Sequence, residues 1–107
     1  MSKNLLICDL LELYGKLLTE KQLKLLELYY FDDLSLSEIA ENEGGSRQGA
    51  MDVIKRAEKE LLNMESVLGL YNRNVQQTNI INDLKSAVNN NESNKIEFLL
   101  TELEKTF

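Results

Sequence analysis

Apolar residues recur at intervals of three and four along nearly the whole chain. That spacing puts them on one side of an α-helix, which turns about 100° per residue. Leu6, Leu10, Leu13, Tyr14 and Leu17 form one stripe over residues 5–18, and Leu11 and Leu18 widen it until it needs cover on two sides. Thr19-Glu20-Lys21-Gln22 is a capping box, in which the first and last side chains satisfy each other's backbone N–H groups. It predicts a second helix to about Phe31, with Leu23, Leu26 and Tyr30 on one face, Leu25 and Tyr29 beside it, and Asp32-Asp33 at its end. Ser35-Leu36-Ser37-Glu38 is a second capping box. It opens a short helix whose apolar side is Leu36, Ile39 and Ala40. Gly44-Gly45 stops that helix, because glycine adopts the positive φ that turns the chain sharply.

Ser46 then caps a fourth helix that begins Arg47-Gln48 and carries Ala50, Val53, Ile54 and Ala57 inward. Nothing breaks it before Gly69, and it can run on past that glycine. Its span is over twenty residues, or about 33 Å at 1.5 Å per residue. A fifth helix is expected over 75–88 on Ile80, Ile81, Leu84 and Val88, a turn at Asn89-Asn90-Asn91, and a sixth helix over 92–106 on Ile96, Leu99, Leu100, Leu103 and finally Phe107. No segment alternates with the period of a strand, so the chain reads as all-α, without the β-hairpin of a winged fold.

A short helix, a glycine turn and a second helix within roughly twenty residues make a helix-turn-helix. Ala40 is small where the two helices cross, and Ile39, Ala50 and Val53 hold them together. Ser46, Arg47 and Gln48 project from the start of the second helix, where a reader of the DNA major groove places its side chains. Lys55, Arg56 and Lys59 follow on the same helix. Arg47, Lys55 and Lys59 fall within about 120° of one another, with Arg56 nearby. The six residues Ser46, Arg47, Gln48, Lys55, Arg56 and Lys59 are the candidate DNA contacts. A plainer reading makes these a solvated face held by pairs such as Asp52–Arg56, four residues apart. Glu43 and Gly45 stand where apolar residues would clamp the turn.

Charge changes the picture. The 107 residues carry a formal net charge of −6. Residues 35–68 hold seven carboxylates against Arg47, Lys55, Arg56 and Lys59. Non-specific DNA affinity comes largely from cations that neutralise phosphates, so an acidic helix-turn-helix is a weak duplex binder at best. The same surface suits a basic protein partner. The lone Cys8 cannot form an intramolecular disulfide and fits a reducing, cytoplasmic setting as a small core residue. With no histidine and no cysteine cluster, His-dependent triads and zinc sites are excluded and no cofactor is expected. Leu5-Leu6-Ile7-Cys8 is interrupted by Asp9 and Glu12, so neither a signal peptide nor membrane insertion is expected. No nucleophile–base pair or phosphate loop points to an enzyme.

Residues 17–61 resemble the YlxM family of helix-turn-helix proteins of Gram-positive bacteria and mycoplasmas. The likeness is carried by Leu18-Thr19-Glu20-Lys21-Gln22, by Leu28-Tyr29-Tyr30 with acidic residues after it, and by Ser35 to Ala40. It continues through Ser46-Arg47-Gln48 and Asp52 to Arg56, and extends more weakly over all 107 residues. The segment is also similar to region 4 of sigma factors, which reads promoter DNA. Family members usually carry apolar residues where Gly45 and Ala50 stand here. Genes of this family lie beside the gene for the signal recognition particle GTPase, so the resemblance implies a regulatory part in that pathway.

The expected architecture is therefore a helix-turn-helix domain over 1–68, similar to sigma region 4 and built on a long central helix. A C-terminal helical extension over 69–107 packs on it or between protomers. Two functions stay open. One is a non-enzymatic accessory protein of the signal recognition particle pathway, contacting its GTPase or its ribonucleoprotein. The other is a DNA-binding transcriptional regulator using the same motif. Apolar surplus in the long helix after residue 60, and in the last two helices, predicts a homodimer.

Overall fold

The computed structural model describes residues 3–107, which divide into two compact units, 3–68 and Gly69–Phe107. Each is built from helices, and no strand occurs among the described residues.

In the first unit, α1 (Leu5–Tyr14) starts where the Asn4 side chain accepts from the Leu6 N–H. It gives way to a tighter 3₁₀ turn over Gly15–Leu17, after which Leu18 is extended. A Cβ on Gly15 would lie 3.1 Å from Leu23 Cδ1 and 3.2 Å from Leu11 Cδ1, so this glycine lets the chain return closely on itself. The turn corrects the expected single helix over 5–18, and the stripe is corrected with it. The buried residues are Ile7, Leu10, Leu11, Tyr14 and Leu18, whereas Leu13 and Leu17 point outward. Leu-Leu-Ile-Cys-Asp-Leu-Leu supports two helical stripes one residue apart, and only packing chooses between them. Cys8 is half-buried rather than in the core.

Thr19 and Gln22 close the capping box that starts α2 (Glu20–Tyr30). Its buried face is Leu25, Leu26 and Tyr29, while Leu23 and Tyr30 are half-buried. Ser35 and Glu38 close the second box, opening α3 (Leu36–Glu43) with Leu36, Ile39 and Ala40 inward. The helix ends at Gly44, whose φ of 78° is left-handed. The Gly44 and Gly45 N–H groups both donate to the Ala40 carbonyl at 3.0 Å.

After Gly44-Gly45-Ser46 comes α4 (Arg47–Leu68), the longest helix. It is the spine of the unit and packs against α1, α2 and α3. Ala50, Ile54, Ala57 and Leu61 are its buried residues, and the two alanines let neighbouring helices approach it closely. Two tyrosines tie the frame together. Tyr14 Oη donates to Glu65 Oε1 and Tyr30 Oη to Glu58 Oε1, both at 2.7 Å. Of the apolar residues of α4 after residue 60, Leu61 is fully buried, whereas Leu62, Val67 and Leu68 are exposed.

The second unit is an antiparallel hairpin of α5 (Leu70–Asn89) and α6 (Ser93–Glu104). Gly69, at φ 63°, ends α4, and α5 begins on the next residue rather than at Val75. A left-handed glycine breaks one helix and permits another immediately. The asparagine turn forms as expected, with Asn91 at φ 54°, a conformation asparagine tolerates. Gln77 Nε2 donates to Thr106 Oγ1 at 3.0 Å across the hairpin. Ala87 is the one fully buried residue on these two helices.

Candidate helix-turn-helix surface

The motif forms with its elements in the expected places. Ser46 Oγ accepts from the Gly49 N–H at 2.9 Å and so caps α4. The bond fixes the hydroxyl at the start of the helix as an acceptor, which makes Ser46 a positioning residue whose O–H is still free to donate. Gln48 Nε2 donates to Asp52 Oδ1 at 3.0 Å, one turn further along. The amide that would face a base edge is therefore held by its own helix. The expected Asp52–Arg56 pair is not formed, because Asp52 is drawn toward Gln48 and away from the next turn.

Arg47, Lys55, Arg56 and Lys59 are all exposed, and among the described residues none of them is in an ion pair. From Arg47 to Lys59 they extend over about 18 Å of helix. Arg47 opens onto a hollow of about 330 Å³ that it shares with Lys3, Asp33, Ser35 and Glu38. Both carboxylates there are held below the usual carboxylate range. Asp33 owes this to its bond and charge contact with Lys3, and Glu38 chiefly to the Ser35 backbone N–H. They stay ionised at neutral pH. Lys3 also lies over the Tyr29 ring, 4.6 Å from its centre. The end of the motif nearest the turn thus mixes both signs of charge.

Two features escaped the sequence. Glu43, out of place in an apolar clamp, is paired with Lys24 of α2 at 3.3 Å, so an ion pair braces the end of α3. Beside the turn lies a cleft of about 120 Å³ whose apolar wall includes Leu25, Ile39, Ala40, Ala50 and Val53, with Gly45 at its rim. It opens where Gly45 and Ala50 supply little or no side chain. Opposite charge at Lys24 and Glu43 was the only hint of the ion pair, and nothing local connects those two positions.

The family profile described as "Putative helix-turn-helix protein, YlxM / p13 like" matches residues 1–101. The chain belongs to this YlxM / p13-like family. It is 45% identical over 88 residues to a UPF0122 protein of Clostridium acetobutylicum, covering 82% of this chain and 76% of that one. It is 48% identical over 75 residues to one of Streptococcus agalactiae, covering 70% and 68%. Against one of Acetivibrio thermocellus it is 48% identical over 81 residues, covering 72% and 69%. The YlxM / p13-like family is one of helix-turn-helix proteins rather than of enzymes. Among the described residues no helix is long and apolar enough to cross a membrane.

Proposed function

We propose that this YlxM-like chain is a non-enzymatic accessory protein that acts in the cytoplasm through protein–protein contacts in the signal recognition particle pathway. Its contact would be the pathway's GTPase or its ribonucleoprotein. The observation that carries this reading is electrostatic. Over residues 35–68 the helix-turn-helix unit carries seven carboxylates against four cations, and the hollow beside Arg47 and Lys3 also holds ionised Asp33 and Glu38. Such a face repels a nucleic-acid backbone and steers a basic protein. The choice of pathway rests on the family resemblance and its gene neighbourhood. Capture of partners from lysate, with and without nuclease, tests the reading. Recovery of the signal recognition particle GTPase after nuclease treatment supports it, and loss of every partner with the nucleic acid overturns it.

Duplex DNA is the second reading, favoured by four exposed, unpaired cations on α4. Arg47, Lys55, Arg56 and Lys59 line a helix whose start follows the turn, as in a major-groove reader. Gln48 joins them only if it leaves Asp52. Binding on this reading is weak and falls steeply with salt.

A further inference from the structure

The α5–α6 hairpin has more apolar face than two helices can cover. Its inner seam is formed by Ile80, Leu84 and Ala87 of α5 against Ile96, Leu99 and Leu103 of α6, at spacings of three and four. A second series runs beside it. It is Ile81 and Val88 on α5 and Leu100 on α6, with Phe107 just past the end of α6. Each helix therefore carries the wide stripe of a bundle helix with two neighbours, not the single seam of a helix with one. The second series is open to solvent: Ile81 is 42% exposed, Val88 56%, Leu100 46% and Phe107 86%.

The two broad faces of the hairpin differ. One of them carries the charged side chains Asp83, Lys95, Glu102 and Lys105 around two hollows, together with Leu99, Ile80 and an exposed Phe98. At about 100° per residue, Ile81, Val88 and Leu100 fall on the opposite face. We propose that this apolar face is covered by the same face of a second copy of the chain, giving a four-helix bundle whose two-fold axis runs along its length. Stacking two such faces removes on the order of 1,000 Å² of surface, which reaches the lower limit for a specific interface.

Charge favours a second copy and selects its orientation. This unit is close to neutral, with four cations against five carboxylates, so like-charge repulsion does not oppose self-association. Lys85 lies at the outer edge of the apolar face on α5, and Glu97 at the outer edge on α6. Neither is in an ion pair among the described residues. Lys85 comes six residues before Asn91 of the turn and Glu97 six residues after it, so both stand at one height above the turn. A two-fold axis along the bundle preserves height and sets α5 over the partner's α6. Each Lys85 then meets a Glu97 of the other copy, twice per dimer. An axis across the bundle would instead set α5 over the partner's α5 and leave Lys85 with no Glu97 opposite it. The chosen axis also makes every neighbouring pair of helices antiparallel and levels Ile81 with the Leu100 of the other copy to within one residue.

The test is the mass of the full chain in solution by light scattering at micromolar concentration. Wild type is expected at twice 12.3 kDa. The double variant Ile81→Glu/Leu100→Glu, with helix content checked by circular dichroism, is expected at 12.3 kDa. Phe98→Glu, on the opposite face, is expected to stay dimeric. Lys85→Glu or Glu97→Lys alone should each weaken association by about tenfold, and mixing the two should restore it as a heterodimer. A monomeric wild type overturns the proposal, whether another part of the chain or a different protein covers the face. So does a dimer that survives the double change, or one that dissociates only with Phe98→Glu. If the double variant loses helix, the charge exchange decides alone, and a mixture that fails to recover refutes the arrangement.

Discussion

The phenol of Tyr30 donates to the Glu58 carboxylate at 2.7 Å, tying the end of α2 to the middle of α4. Tyr14 does the same from α1 to Glu65, seven residues further along α4 and on the same face. These bonds brace the long helix that presents the candidate surface. Tyr30→Phe should cost about 1 kcal/mol, since a hydrogen bond to a charged acceptor is worth more than that when buried and this one is partly open. Urea unfolding measures it. In a double-mutant cycle with Glu58→Gln, the two losses should fall short of additive.

The same pair gives an alkaline dependence. Tyr30 titrates above its ordinary value of 10.0, first because burial disfavours the phenolate and second because it donates to Glu58. A raised folded-state value means that its contribution is complete below pH 10.0 and is lost as pH rises through the folded value. Stability should therefore fall as the pH passes about 10, and Tyr30→Phe should flatten that fall. Equal slopes in the two proteins would contradict the assignment.

Neighbouring glycines of the turn should respond in opposite directions. Gly44 holds a positive φ, so Gly44→Ala should destabilise by about 1 kcal/mol despite the open space around it. Gly45 has no positive φ and nothing within 4 Å of an added Cβ. Gly45→Ala should stabilise by about 0.5 kcal/mol, by reducing the freedom of the unfolded chain. Thermal melts of the two variants make the comparison.

Ser35→Ala should cost about 1 kcal/mol through loss of the cap on α3. Glu38, whose folded value is lowered chiefly by the Ser35 backbone N–H, contributes stability above its ordinary value of 4.5 and loses it as pH falls. Glu38→Gln should therefore melt with less acid sensitivity than wild type, which a series of melts from neutral to acid pH would register.

For DNA, the triple change of Arg47, Lys55 and Arg56 to Ala should abolish any duplex binding seen at low salt. Asp52→Ala should strengthen it by releasing Gln48 and removing a negative charge. Fluorescence anisotropy on labelled duplexes reads both. Binding that persists in the triple variant would show that α4 is not the reader.

Local signals were enough for much of this protein. Paired Ser–Glu and Thr–Gln boxes, the glycine stop at Gly44-Gly45 and an asparagine turn placed the helix-turn-helix and the hairpin turn, because capping and positive-φ chemistry act within a few residues. The cationic set on α4 was legible for the same reason: it lies on one helix at known spacing. What local signals could not decide was phase and pairing. In α1 and α2 the apolar residues are dense enough to support two adjacent stripes, and contact with α4 chose Ile7 over Leu6 and Leu25 over Leu23 for the core. The Lys24–Glu43 bridge, the Tyr30–Glu58 and Tyr14–Glu65 ties and the cleft beside Gly45 join residues far apart in the chain. Gln48's bond to Asp52, though local, won over Asp52–Arg56 only once side-chain geometry was set. The sequence determined the helical class, the capped helix starts and the turn of the helix-turn-helix; the tertiary structure decided the break at Gly15, the helix that restarts directly after Gly69, which faces are buried and which polar groups remain free, because those depend on partners that spacing alone does not name.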